Sequence, residues 1–517
     1  MAEISVNSGG GGGDAGGREQ RRLEDVADQF NVIVVSNRQP YRHERDGDGV
    51  SVNRPTGGLN MGLDAAVRRI DGSWIAWGDG DADREVVDDG DTVTVPPGAE
   101  EDQYTLRRIW LDDDEVENYY YGYSNRVLWP ICHGAMTNVR SEDHYWDTYA
   151  DVNETFAEAV AGQVSPGDVV WIQDYHFGLM PEMVRSRVPD SVTIAHFWHV
   201  PWPGWDTFRS CPHAEEILRG LLGNDLFGVH VPRYRQNFLD CVDAAIPEAT
   251  IDWDAGRVYH EGGVTTVEAF PLGVDVETIE RAASSDAATD RWEGFLADHG
   301  IDDDVTVALG VDRLDYTKGI PARFDALERF FESHPEARGA LTFVQIGTKS
   351  RSQLQEYRDV QRETAAAVER INERFGTDDW QPVVYTTERL SNETLYALYR
   401  HADVCVVSPL RDGMNLVAQE FVAAQDPDAD PGVLVLSDLA GAHDVLGSDT
   451  VTISPHDTDQ FASELETALT MPLRDRRRHM RALSEAVREF DVTNWTDDVI
   501  GRIGEIQRER SERSSDG

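Results

Sequence analysis

Val404-Cys-Val-Val-Ser-Pro-Leu-Arg-Asp-Gly-Met-Asn-Leu-Val-Ala-Gln-Glu-Phe-Val-Ala-Ala424 is the stretch on which the fold turns. Val404 to Val407 is a short β-branched apolar run bounded by polar residues, the pattern of a buried strand. Leu416 to Ala424 reads as a helix. Between them Arg411, Asp412 and Gly413 form a short loop. A strand that passes through a Gly-containing loop into a helix leaves the first helical N–H groups unpaired and facing that loop. With the helix dipole they make an anion site. Asp412 is placed to accept hydrogen bonds from a polyol held there, and Glu420, further along the helix, from a second hydroxylated group. Phosphate and polyol at one strand end suggest a sugar nucleotide.

The same punctuation recurs along the chain. Asn31-Val-Ile-Val-Val-Ser36 is a strand that ends at Asn37-Arg38, and Thr56-Gly-Gly-Leu59 opens a helix. Strands are expected at 74–77, 169–173, 192–198 and 226–230, with single helical segments between the later ones. Around Phe270-Pro-Leu-Gly-Val-Asp275 the pattern resets. A second series follows at 305–310, 341–346, 383–385, 404–407 and 433–436. Strands separated by single helices imply right-handed βαβ units and parallel sheets. Two consecutive doubly wound, Rossmann-like α/β halves place a site in the cleft between them, at the C-terminal ends of the strands.

Composition narrows the partners. The 517 residues hold 47 Lys and Arg against 95 Asp and Glu, a formal net charge of −48. That charge repels nucleic acid and anionic membrane surfaces. The acid is spread along the chain, as in Asp112-Asp-Asp-Glu115 and Asp426-Pro-Asp-Ala-Asp430, and reads as solvated surface. Only Lys318 and Lys349 are lysines; the remaining 45 of the 47 basic residues are Arg. An acidic, lysine-poor surface resembles halophilic proteins, whose self-repulsion molar salt screens. The four Cys have no C-x-x-C spacing and read as reduced core thiols in a cytoplasmic protein. No signal-peptide pattern and no membrane-spanning apolar run is present in the sequence. Met1 to about Gly17 reads as a flexible tail. Homo-oligomerisation is compatible with all of this.

Further strand ends carry chemistry. Gly310-Val-Asp-Arg-Leu-Asp-Tyr-Thr-Lys-Gly319 places Arg313 and Lys318 across a turn, where two cations can converge on the charge a departing diphosphate develops. Gln345-Ile-Gly-Thr-Lys-Ser-Arg351 supplies Lys349 and Arg351, and Arg suits bidentate phosphate recognition. The Gly57-Gly58 pair allows close backbone approach to a ligand. Trp171-Ile-Gln-Asp-Tyr-His176 and His196-Phe-Trp-His199 end strands in Asp and His, without metal-ligand spacing. Asp79-Gly-Asp-Ala-Asp83 lacks the Gly and terminal Glu of a calcium loop and reads as acidic surface. Tyr119-Tyr-Tyr-Gly-Tyr-Ser-Asn-Arg-Val-Leu-Trp129 reads equally as a sugar-lining surface and as core.

Together VVSNR, GGL, YYYGYSNRVLWP, DYH, HVPWP, RLDYTKG and PLRDGMNLVAQEFVAAQDP, collinear over roughly residues 31–485, resemble the trehalose-6-phosphate synthases. These are retaining glycosyltransferases of family 20 with a GT-B fold. The resemblance implies an acceptor half over 29–272 and a donor half over 273–480. A tail and lead-in over 1–28 and a C-terminal helix over 481–517 that crosses back to the first half complete the expected layout. It implies that Arg313 and Lys318 hold the donor diphosphate, with Gly57 and Gly58 packed against its phosphates. Asp412 and the backbone of Gly413, Met414, Asn415 and Leu416 would grip the donor glucose, His199 would contact it, and Glu420 would hold the ribose. Arg313, Lys318, Asp412 and His199 are the expected catalytic set. Arg38, Tyr120, Trp129, Asp174 and Arg351 match the positions that bind glucose 6-phosphate, the two Arg at its phosphate. The donor would be a nucleotide-glucose, UDP-glucose first, with no cofactor and no metal.

The HVPWP loop, Gln173, Phe177, the Lys-Ser-Arg loop and the segment 79–115 depart from the usual pattern and bear on acceptor and nucleotide choice. Close relatives with much the same motifs make glucosylglycerol phosphate; a silent sugar-phosphate sensor is the alternative of another class. No paired carboxylates suited to double displacement stand out. The donor's own phosphate oxygen is then the expected proton acceptor, with retention of configuration. Residues 41–53 have the Gly and Asp content that permits lid motion.

Overall fold

The computed structural model describes residues 31–47, 49–54, 63–64, 67–68, 72–99 and 103–515. The expected tail and lead-in, and the glycine pair Gly57-Gly58, lie outside them.

The chain forms two twisted sheets. β1 (Val32–Arg38), β4 (Ser73–Trp77), β5 (Thr92–Val95), β6 (Tyr104–Ile109), β7 (Val169–Gln173), β8 (Thr193–Phe197) and β9 (Leu226–Val229) belong to the first. β10 (Thr250–Asp252), β11 (Arg257–His260) and β12 (Gly263–Ala269) complete it, in the order β10-β11-β12-β9-β8-β7-β1-β4-β6-β5. The second sheet holds β13 (Thr306–Arg313), β14 (Leu341–Thr348), β15 (Val383–Thr386), β16 (Val404–Val407), β17 (Val433–Ser437) and β18 (Val451–Ile453). Its order is β15-β14-β13-β16-β17-β18, parallel throughout. The antiparallel pairings of the first sheet are confined to its two ends.

Alternation explains why these strands read as unbroken apolar runs. Val32 and Val34 pack into one core and Ile33 and Val35 into another, on opposite faces of the sheet. Val404 and Val406 separate from Cys405 and Val407 in the same way. Successive side chains point to opposite faces, so a sheet covered on both sides needs apolar residues at every position. The C-terminal helix Val492–Ser515 covers one face of the first sheet: Val492, Trp495, Val499, Ile500 and Ile503 join Val32 and Val34. That spacing is the apolar stripe of an amphipathic helix. The chain passes between the halves twice at one place, where a Cβ on Gly273 would stand 1.6 Å from the carbonyl oxygen of Phe490. Only glycine lets the two backbones meet so closely.

In both sheets the strand order reverses beside the first strand. The chain winds outward from β13 to β14 and β15, then returns to β16 on the other flank; β1 likewise lies between β4 and β7. Such reversals open a crevice at the C-terminal strand ends. Arg38 and Asp174 stand at one reversal; the 310–319 and 408–415 loops stand at the other.

Several elements went unread in the sequence: the helix Pro232–Ala245, the meander β10–β12 and the edge strand β18. The aromatic run forms a π-helix, Val116–Leu128, whose wide turn is closed by Trp129 N–H donating to Ser124 O, five residues back. Residues 41–53 contain a hairpin, β2 (Arg42–Asp46) against β3 (Gly49–Asn53). All four Cys are free and buried. Among the described residues no helix is long and apolar enough to cross a membrane.

Candidate active site

β13 pairs directly with β16 through Ala308–Val404 and Leu309–Cys405, which sets their two loops side by side. A buried network ties them: Arg323 donates to Asp312 at 2.7 Å, to Gln345 at 2.8 Å and to Ser408 Oγ at 2.9 Å. Across the loops Lys318 Nζ bonds the Asp412 carboxylate. Asn415 Nδ2 donates to the same carboxylate at 3.0 Å, and the Gly413 N–H at 2.9 Å. Burial opposes ionisation of Asp412, but Lys318, His133 and Arg313 outweigh it and hold the carboxyl below its ordinary range. Asn415, in the left-handed region at φ 66°, turns the loop into the helix Leu416–Ala424. Asn tolerates that conformation better than most residues. Met414 buries its side chain in the core of the first half, so it offers a ligand only its backbone.

The opposite wall comes from the first sheet. His199 stands beyond β8 with its carbonyl against Gly413: a Cβ there would lie 2.1 Å from His199 O. Its Nε2 is 2.9 Å from Gln173 Oε1, and Nδ1 has no partner. Burial, then His230 and His196, keep the ring well below its usual pKa and therefore neutral. Asp174, at φ 73°, accepts from Tyr175 N–H at 2.9 Å and His199 N–H at 3.3 Å through Oδ1. Burial pushes its carboxyl up to about 6 against those bonds.

Arg38, Tyr120, Arg313 and Arg351 gather at the cleft rim, with the Trp129 ring behind them. Arg38 Nη2 donates to Tyr120 OH at 2.7 Å. The guanidinium of Arg351 lies 4.3 Å from the centre of the Trp129 ring and 6.0 Å from that of Tyr120. Arg313 approaches Trp129 too, at 5.7 Å. Burial raises the Tyr120 pKa, yet Arg38 and Arg351 outweigh it and bring the phenol down to about 7. Two guanidinium groups flanking one phenol make a strong trap for a dianion. The cleft encloses about 1410 Å³, and Arg38, Tyr120, Arg313, Lys349, Arg351 and Glu420 are among its walls. Lys318, Asp412, His199, Asp174 and Trp129 do not line this open part. Glu420 is apart from Asp412, takes a 3.2 Å hydrogen bond from Tyr399 OH, and is raised by burial.

Sequence reasoning missed several contributors. Tyr357 OH accepts from Arg351 at 2.5 Å, and Tyr234 OH donates to Asp412 O at 2.7 Å. The reading of 79–83 as acidic surface is corrected for two residues. Asp79 accepts from Arg38 at 3.0 Å and Gln39 at 2.8 Å. Asp83 is fully buried against Arg108 at 3.0 Å. Buried carboxylates need paired cations, and the partners lie 41 and 25 residues away, beyond any local signal. Among the described residues no cluster of His, Cys, Asp and Glu is placed to hold a metal ion.

Comparison with known proteins agrees with this arrangement. The sequence profile of glycosyltransferase family 20 matches residues 30–505. The UDP-forming α,α-trehalose-phosphate synthase of Schizosaccharomyces pombe is 32% identical over 487 residues, 93% of this chain and 92% of the relative. The Escherichia coli structure described as bound with UDP-2-fluoro glucose superposes with a TM-score of 0.81 at 31% identity, over 92% of this chain and 99% of the other. A UDP-forming α,α-trehalose-phosphate synthase of Burkholderia xenovorans in complex with glucose 6-phosphate gives 0.80 at 30% identity, over 92% and 99%. With its two parallel-sheet halves in the GT-B arrangement, the chain belongs to glycosyltransferase family 20.

Proposed function

We propose that this chain transfers glucose from a nucleotide-glucose, UDP-glucose first, to glucose 6-phosphate, giving trehalose 6-phosphate and the nucleoside diphosphate with retained configuration. The observation that carries the reading is the convergence of Arg38, Arg351 and Tyr120 on one rim of the cleft, beside the loops that carry Arg313, Lys318 and Asp412. One dianion trap suits an acceptor phosphate, and a second cationic group suits a diphosphate leaving group. The ligands held by the two solved relatives support the same division.

In this reading Arg38, Tyr120 and Arg351 hold the acceptor phosphate, and Trp129 and Asp174 its sugar. Arg313, Lys318 and the amides of Gly413 to Leu416 take the donor diphosphate, which Gly57 and Gly58 approach. Asp412 and His199 contact the transferred glucose, and Glu420 the ribose. Three donors already occupy the Asp412 carboxylate, which makes it a poor nucleophile. The leaving phosphate oxygen therefore takes the acceptor proton on the face it vacates. Arg313 and Lys318 stabilise the charge left behind. Nucleotide release by purified protein, followed with glucose 6-phosphate and with glycerol 3-phosphate, tests the reading. Release with glycerol 3-phosphate alone, or with neither, would overturn it. So would a covalent glycosyl-enzyme trapped on any side chain.

A further inference from the structure

His176 is the residue the reaction just described leaves unused. It is the last residue of the DYH motif, its side chain is 8% exposed, and neither ring nitrogen has a hydrogen-bond partner. Leaving two buried polar atoms unpartnered costs stability. The ring is also held in place. It lies parallel to Tyr120 at 11° with centroids 5.9 Å apart, and packs on Tyr175 at 4.1 Å. One polar group faces it: Nδ1 is 4.0 Å from Asp174 Oδ2, too far for a hydrogen bond. That oxygen is the unencumbered one, because the two backbone N–H groups that reach Asp174 both use Oδ1.

We propose that His176 Nδ1–H and Asp174 Oδ2 clamp a single hydroxyl of the acceptor sugar. A hydroxyl both donates and accepts, so it can donate to the carboxylate and accept from the imidazole. An oxygen about 2.8 Å from each atom spans their separation at roughly a right angle. The clamp sits one ring below Tyr120, so an acceptor must present its phosphate to Arg38 and Arg351 and this hydroxyl together. His176 is thus a specificity residue: it selects among phosphorylated polyols by a group that the phosphate trap does not read. The inference rests on the acceptor assignment proposed above.

The test is kcat/KM for glucose 6-phosphate and its 2-, 3- and 4-deoxy analogues in the unaltered enzyme, His176→Phe and His176→Asn. Phe keeps the ring contacts and removes the unmet polar atoms, so Tm is expected to hold or rise. Its kcat/KM for glucose 6-phosphate should fall about tenfold, the worth of one neutral hydrogen bond, with the donor KM within about twofold. The deoxy analogue that lacks the clamped hydroxyl should be discriminated about tenfold less by His176→Phe than by the unaltered enzyme. His176→Asn, which keeps a donor near Nδ1, should recover part of the loss. Equal deoxy penalties in enzyme and variants overturn the clamp while the activity stands. Absence of nucleotide release by the unaltered enzyme with glucose 6-phosphate overturns the acceptor assignment and the clamp with it. If His176→Phe does not fold, His176→Leu, which also removes both ring nitrogens, takes its place, and unchanged deoxy penalties in it refute the clamp.

Discussion

Adding one methyl group at Gly413 tests whether the two halves meet as described. A Cβ there would lie 2.1 Å from the carbonyl oxygen of His199, 3.2 Å from its carbonyl carbon and 3.3 Å from His230 Cδ2. A carbon and a carbonyl oxygen rest at roughly 3.3 Å or more. The 408–415 loop and the His199 backbone must therefore separate by about 1.2 Å in Gly413→Ala. Neither side yields easily. His199 O also accepts from His230 at 3.0 Å, and Asp412, next to the substitution, is held by Lys318, Asn415 and Tyr234. Overpacking of this kind costs about 1–3 kcal/mol of stability. The effect on chemistry should be larger, since a misplacement of about 1 Å in a reacting group costs about 100-fold in rate. The assay is kcat at saturating donor and acceptor, with Tm measured beside it. Gly294→Ala is the control. It lies in the helix Asp286–His299 with nothing within 4 Å of its Cβ, and should gain up to about 1 kcal/mol with unchanged kcat. A Gly413→Ala enzyme with kcat within about threefold of the parent and an unchanged Tm would refute the placement of this loop.

Arg351→Ala should raise the KM for glucose 6-phosphate roughly 30- to 100-fold, the worth of about 2–3 kcal/mol for a charge-assisted bond, and leave the donor KM nearly unchanged. Equal effects on both substrates would count against its place at the acceptor phosphate. Burial sets the Asp174 carboxyl at about 6, above its unfolded value, so the ionised form prevails above that pH and is lost as pH falls through it. The acceptor KM should accordingly rise below about pH 6. Asp174→Asn should flatten that rise and also raise Tm above pH 6, because a buried charge is no longer maintained. A profile that keeps its inflection in the variant would assign it elsewhere. Trp495→Ala removes a buried ring 5.0 Å from Phe197 and 5.6 Å from Trp171 and should cost about 3–5 kcal/mol in denaturant unfolding. A loss below about 1 kcal/mol would mean that the C-terminal helix does not bear on the first sheet.

Local pattern carried much of the architecture. Val404 to Ala424 reads as strand, loop and helix because β-branched residues fill both faces of a buried strand and the helix follows a glycine loop. From such units a parallel sheet with its site at the C-terminal strand ends follows, whatever the strand order. Arg313, Lys318, Asp412 and Arg351 were legible as strand-end cations and a polyol acceptor for the same reason. The assignments of Tyr120, Trp129 and Asp174 came from the resemblance, because an aromatic run reads as core or as sugar platform until its neighbours are known.

What the tertiary structure decided is which strand ends are neighbours. Nothing in the run Val404-Cys-Val-Val407 states that it pairs with β13 rather than β15, yet that pairing brings Lys318 to Asp412 across 94 residues of chain. The reversal beside β1 does the same for Arg38 and Tyr120, 82 residues apart. Asp79 and Asp83 escaped their reading because a carboxylate's burial depends on a cation supplied from elsewhere, and sequence displays the charge without its partner. A side chain's residue type fixes what it can bond. Strand order, which is set by packing of whole sheets, fixes what it meets.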